Sequence, residues 1–145
     1  MGDTDMNMAM QMMEMHAAEM PATGMDMALM QECIEACSAC EQACTMCASS
    51  MMGDEMMKCT SMCMNSADMA NTMMRMMMRP SGMHAPSMMT ALQATMSMSN
   101  ACAEECMMHA ETSDDARMCA DVNRQLAASC QKMMDAMAGM MPTRA

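Results

Sequence analysis

Sulfur dominates what this sequence could do chemically. Met30, Cys33, Cys37, Cys40, Cys44, Cys47 and Met51 follow one another at spacings of 3, 4, 3, 4, 3 and 4. On a helix that alternation keeps every member on one seam, and residues four apart have Cβ atoms about 5–6 Å from each other, so two thiolates can converge on one metal ion. The C-x3-C pairs are Cys33/Cys37, Cys40/Cys44, Cys59/Cys63 and Cys102/Cys106, while Cys37/Cys40 and Cys44/Cys47 join neighbouring pairs into a ladder. Leu or Ala would fill five consecutive seam positions without chemical risk, so packing alone is a poor explanation for five Cys.

The metal follows from softness. Thiolate and thioether together select Cu(I), whereas Zn has little use for Met and prefers closed tetrahedral sets from short loop knuckles. With 11 Cys and 37 Met, the chain favours copper, several ions at a time. The run Cys37, Cys40, Cys44, Cys47 has a spacing close to an iron–sulfur one, but those ligands usually sit on loops and close on Cys-Pro, which this sequence lacks. A nucleophilic Cys enzyme needs one thiol activated by a positioned base. Thiols in stripes with 3 His do not describe that, and no enzyme is expected.

Four helices must position these residues. The chain has 145 residues and no aromatic, and its branched aliphatics are Leu29, Ile34, Leu92, Val122 and Leu126 alone. Strands have nothing to be built from, while Met, Ala, Gln and Glu are good helix formers, so the class is all-α. Breakers set off a Met-rich, flexible tail over residues 1–24 from a domain over 25–145. Segment A spans about 26–50, B about 55–79, C about 86–111 and D about 114–138, each of about 25 residues or about 37 Å as helix. Short connections between four such segments predict an antiparallel four-helix bundle.

Segment A turns Gln31, Glu32, Glu35, Ser38, Glu41 and Gln42 outward. Segment B carries Met52, Met56, Cys59, Cys63, Ser66, Ala70, Met73 and Met77 on its seam, with Met62, Met69 and Met76 beside it. Segment C carries Met88, Leu92, Thr95, Ser99, Cys102, Cys106 and His109, and segment D Cys119, Val122, Leu126, Cys130, Met133, Met137 and Met140. The four seams enclose a tube of thiols and thioethers. Its candidate ligands are the 11 Cys with Met30, Met51, Met56, Met62, Met69, Met73, Met77, Met133, Met137 and His109. Met6, Met8, Met10, Met12, Met13, Met15, His16 and Met20 of the tail suit a weak, exchangeable Cu(I) relay.

C-I-E-A-C-S-A-C-E-Q-A-C-T-M-C in segment A, K-C-T-S-M-C in B, A-C-A-E-E-C-M-M-H in C and R-M-C-A-D in D resemble the bacterial copper storage proteins over about residues 26–140. The resemblance implies a four-helix bundle whose interior Cys store many Cu(I) ions, C-x3-C pairs that each hold copper, and His and Met that admit it at one end. It also implies a homo-oligomer, a tetramer or a dimer. Segment D departs from the pattern in lacking a C-x3-C pair, and Ser66, Ala70, Thr95 and Ser99 stand where sulfur would be expected. A thioether-rich variant holding some copper more loosely is the expectation.

Charge and targeting bound the partners. A net charge of −11 disfavours nucleic acid and suits small cations, and no apolar stretch is long enough to insert in a membrane. The first ten residues, MGDTDMNMAM, carry acids where a signal peptide needs basic residues. Met remains a ligand in acid and under mild oxidation, so trading Cys for Met favours a periplasmic, exported protein whose leader was removed, with a cytoplasmic one as the alternative. Copper storage or sequestration is the expected function. The alternative is a chaperone relaying Cu(I) through exposed Met and His to a copper-receiving enzyme or exporter. A Met-rich oxidant scavenger and a thiol oxidoreductase are the remaining readings, and the second lacks an electropositive setting for a reactive thiol.

Overall fold

The computed structural model describes residues 26–51 and 53–140, together with Met8, Gln11, Met12, Glu14 and Met15 of the tail, which have helical backbone and are exposed. Helix α1 runs Met27–Ser50, a 3-10 turn covers Asp54–Met56, and α2 follows over Met57–Met77, α3 over Ala85–Met107 and α4 over Asp114–Met140. Each helix packs on its neighbours in sequence, and α4 closes back on α1. The expected up-down-up-down bundle is what forms.

Local chemistry sets the ends. Asp26 caps α1, its carboxylate accepting from the Ala28 and Leu29 amides at 2.8 and 3.4 Å. At the next junction Gly53 has φ 101°, a left-handed conformation that glycine adopts without a Cβ penalty. His84, placed by the sequence in a connection, caps α3 by accepting from the Ser87 amide at 3.4 Å. The Ser113 hydroxyl accepts from the Ala116 amide at 3.0 Å at the start of α4.

Two sequence expectations change. Helix α3 stops at Met107, so His109 lies in the turn beyond its C-cap Met108 and not on a helical seam. Gln31, expected on the wet face of α1, is buried, donating to Glu35 at 3.4 Å while its own oxygen is unpaired.

The core is the sulfur itself. All eleven Cys are at most 1 % exposed, and Met30, Met73, Met77, Met88, Met133, Met137, Leu92, Leu126 and several Ala complete the interior. Small Cys and Ala let the four backbones enclose a narrow tube, and the long, unbranched Met fills its irregular far end.

Candidate metal centre

The antiparallel order brings the C-terminal half of α1, the N-terminal half of α2, the C-terminal half of α3 and the start of α4 to one end of the bundle. Seven thiols meet there: Cys44 and Cys47, Cys59 and Cys63, Cys102 and Cys106, and Cys119. The Sγ atoms of Cys47, Cys63, Cys106 and Cys119, one from each helix, lie within 4.8 Å of one another, as do those of Cys44, Cys102 and Cys119. Cys44 is 3.4 Å from Cys119, Cys63 is 3.6 Å from Cys106 and 3.8 Å from Cys119, and Cys59 is 3.8 Å from Cys106. The C-x3-C pairs survive inside this network, Cys40/Cys44 at 3.7 Å and Cys102/Cys106 at 4.0 Å. What the one-dimensional spacing could not show is that the tightest groupings cross helices.

A second thiol group lies deeper. Cys33 is the hydrogen-bond acceptor for Cys130 and then for Cys37, which holds it down at about 4, while donation to Cys33 pushes Cys37 and Cys130 up. In the seven-thiol nest Cys44 and Cys106 are likewise lowered, each with Cys102 as the leading donor. Burial pushes Cys47 up to about 11 and Cys59 up to about 12. Burial disfavours the charged form of every thiol while hydrogen bonds between neighbouring thiols favour it on their acceptors, so a soft cation that enters would displace protons from the sulfur it binds.

The thioethers divide by position. Met30, Met73, Met77, Met133 and Met137 are buried at the end opposite the seven-thiol nest, whereas Met51, Met56, Met62 and Met69 are half-buried. His109 is 18 % exposed beside the nest, its Nε2 3.3 Å from the Glu105 carboxylate, which Lys58 approaches at 3.6 Å. A cleft lined by Ser50, Met51, Met56, Thr112, Ser113, Asp114 and Asp115 opens at that end. The tail relay residues other than Met8, Met12 and Met15 lie outside the described residues, as does Met52.

Sequence reasoning missed two groups. Glu105, buried to 6 % exposure, was hidden by its place beside the exposed Glu104, between Cys102 and Cys106. Asn123 is fully buried and touches Cys40, Cys44 and Cys119. Its signal was present: it stands four residues after Cys119, on the same face.

An all-α bundle lined from four sides with free, buried thiols defines a protein that encloses soft metal ions in its interior. The sequence model of the Csp copper storage proteins matches residues 26–135. In fold the chain is similar to the Streptomyces lividans copper storage protein Ccsp loaded with 10 copper equivalents, at 31% identity and a TM-score of 0.76 over 79% of this chain and 90% of that one. A Ccsp variant with one histidine replaced by alanine matches at 31% identity and 0.76, over 79% and 98% of the two chains. A cytosolic copper storage protein from the same organism, with five coppers, matches at 31% and 0.72, over 74% and 93%. No curated protein matches the chain. This chain belongs to the copper storage protein family. Its function is copper storage, and its ligand is copper, many ions per chain.

The expectation of an exported, periplasmic protein is corrected by these relatives, one of which is described as cytosolic. The physical premise also fails. It rested on Met replacing thiol ligands, whereas eleven Cys occupy the interior of the bundle. Among the described residues no helix is long and apolar enough to cross a membrane.

Proposed function

We propose that the eleven Cys are the primary Cu(I) ligands, that buried Met30, Met73, Met77, Met133 and Met137 supply weaker thioether donors, and that His109 receives copper at the mouth. The observation that carries this reading is the convergence of thiols from all four helices within 4.8 Å in a solvent-free interior. Two or more thiolates per ion match the low coordination number and softness of Cu(I), and bridging thiolates allow about one ion per thiol.

The role is binding without turnover, a reading supported by the enclosure of every thiol in the interior of the bundle. Storage is favoured over relay for the same reason. A relay hands copper on from exposed donors, and these thiols are at most 1 % exposed. The bundle over 25–145 holds the metal, and the tail over 1–24 gathers it through its Met. A cytoplasmic location, a homo-oligomeric assembly (tetramer or dimer), and a copper-receiving enzyme or exporter as recipient complete the reading.

The test is an anaerobic Cu(I) titration of the reduced protein against a chromophoric Cu(I) chelator, repeated after thiol alkylation. On the order of ten equivalents are expected, collapsing on alkylation. At most one tight equivalent in the untreated protein refutes storage by these residues, and capacity that survives alkylation transfers the role to the thioethers.

A further inference from the structure

The sulfur of the interior does not end at the thiols. Met30 stands three residues before Cys33 and Met133 three after Cys130, and both belong to one buried cluster with Met73, Met77, Met88 and Met137. Half-buried Met76 and Met83 pack against that cluster at the end of the bundle opposite His109. There the chain turns from α2 into α3. The Arg79 amide donates to the Met76 carbonyl at 3.2 Å and the Met83 amide to the Pro80 carbonyl at 3.3 Å, and Gly82 takes the left-handed φ of 74° that reverses the backbone. The reversal brings Met83 back to the last turns of α2, where Met76, Met83 and Met88 line one open cavity of about 170 Å³. Three thioethers on one cavity are donors for a soft monovalent cation, neutral ones that bind without releasing a proton and yield the ion to thiolates. Arg79 and His84, exposed at the rim, add no ligand. A guanidinium has no lone pair to offer, and His84 Nδ1 is taken up in capping α3, 2.7 Å from the Ser87 hydroxyl and 3.4 Å from its amide. Aliphatic side chains at these positions would seal the end, whereas thioethers continue soft donors from the surface to the inner thiols. The chain also enters the bundle here, at Asp26, so the Met of residues 1–24 are tethered to this end and not to the His109 end.

We propose that Met76, Met83 and Met88 form a second port, an exchangeable Cu(I) site through which the cation passes between solvent and Cys33, Cys37 and Cys130 by way of the buried thioethers, without crossing the seven-thiol nest. The inference rests on the storage reading and adds a route to it: the store is open at both ends.

The experiment mixes the full reduced chain with a Cu(I)–chelator complex under anaerobic conditions and follows the growth of Cu(I)–thiolate absorbance in the wild type, Met76→Leu/Met83→Leu, His109→Ala and the combination of these changes. Leu matches Met in size, so the bundle is expected to fold, which circular dichroism checks, and Met83→Leu alone serves where the pair loses helicity. Rates through parallel routes add. Adding the Met pair to His109→Ala is therefore expected to slow loading at least about tenfold, the cost of removing two of the three donors, and to slow the wild type less. Methyl NMR of the chain labelled at its Met ε-methyl groups gives the second reading. The resonances of Met76, Met83 and Met88, assigned from Leu variants, are expected to shift together on addition of Cu(I). Equal loading rates of His109→Ala with and without the Met pair, or methyl resonances that stay in place, overturn the second port while storage stands. A wild type that takes up no copper removes both.

Discussion

Cys119 is the one thiol shared by both convergent sets, which makes Cys119→Ser the most informative single change. It leaves Cys47, Cys63 and Cys106 of the four-thiol set and Cys44 with Cys102 of the three-thiol set, so each loses a ligand. The hydroxyl keeps the size of the side chain and can still accept from Asn123, so the bundle is expected to fold. The affinity of the tight copper phase should fall at least about tenfold, or about 1.4 kcal/mol, the lower end of what disturbing even the groups that orient a ligand costs. Cys59→Ser is the control, because Cys59 stands outside both sets and touches Cys106 at 3.8 Å. It should cost about one equivalent and leave the tight phase within about twofold. The assay is anaerobic competition with a chromophoric chelator, with protein concentration from amino-acid analysis because the chain has no aromatic residue. Equal losses of tight-phase affinity in the two variants would refute the assignment of the crossing sets as the tightest sites.

Leu126→Ala, which empties a fully buried position, should destabilise the copper-free bundle by about 2–5 kcal/mol in urea unfolding followed by circular dichroism; less than about 0.5 kcal/mol would mean that the core is not packed there. Asp26→Ala removes the cap of α1 and should cost about 1 kcal/mol in the same measurement, with no change in copper capacity. Alkaline pH should destabilise the copper-free protein. Burial raises Cys47 to about 11 and Cys59 to about 12, so unfolded thiols ionise from about pH 8.5 while the folded ones do not. The stability they contribute is complete below that pH and is lost as pH rises through 11 to 12, and a melting temperature flat from pH 8 to 11 would contradict this sign.

Much of the site was legible because a helix converts spacing into geometry. The 3, 4 alternation from Met30 to Met51 fixes one face of α1 regardless of tertiary detail, and Cys33, Cys37, Cys40, Cys44 and Cys47 are all interior. Composition forced the class, since without aromatic or β-branched runs only helices remain. Spacing carries no information on which helices become neighbours or at what level, and the crossing sets of Cys47, Cys63, Cys106 and Cys119 were therefore invisible. His109 was misplaced because helix ends are set by local hydrogen bonds. The backbone after Met107 closes turns, with the His109 amide donating to Cys106 at 3.0 Å, and ends the helix before the seam pattern does. Asn123 was overlooked because a polar side chain in a helical pattern reads as solvent-facing until its partners are known. The lack of a C-x3-C pair in the fourth segment was noted as an absence, whereas the structure shows the residue in its place bonded to the thiols of two helices.

Because the ligands are also the core, copper should decide how stable the fold is. In the copper-free bundle the large apolar side chains, each contributing about 1.5–3 kcal/mol, are Ile34, Leu92, Leu126 and the buried Met, and the Cys and Ala around the seven-thiol nest contribute less. An ion held by Cys47, Cys63, Cys106 and Cys119 ties all four helices together at one point, a constraint that no single apolar contact in this interior provides. A site occupied at a hundred times its dissociation constant adds about 2.7 kcal/mol, reduced by whatever affinity the unfolded chain retains through pairs such as Cys33 and Cys37. The crossing sets, having no counterpart in the unfolded chain, should deliver most of that gain. Loading the first two or three equivalents should therefore raise the midpoint of thermal unfolding by several degrees, with later equivalents adding less. The measurement is far-ultraviolet circular dichroism of anaerobic samples at stepped copper content. A midpoint independent of copper would mean that the metal sits outside the core, and one that rises equally with every equivalent would mean that the crossing sets have no advantage over the helical pairs.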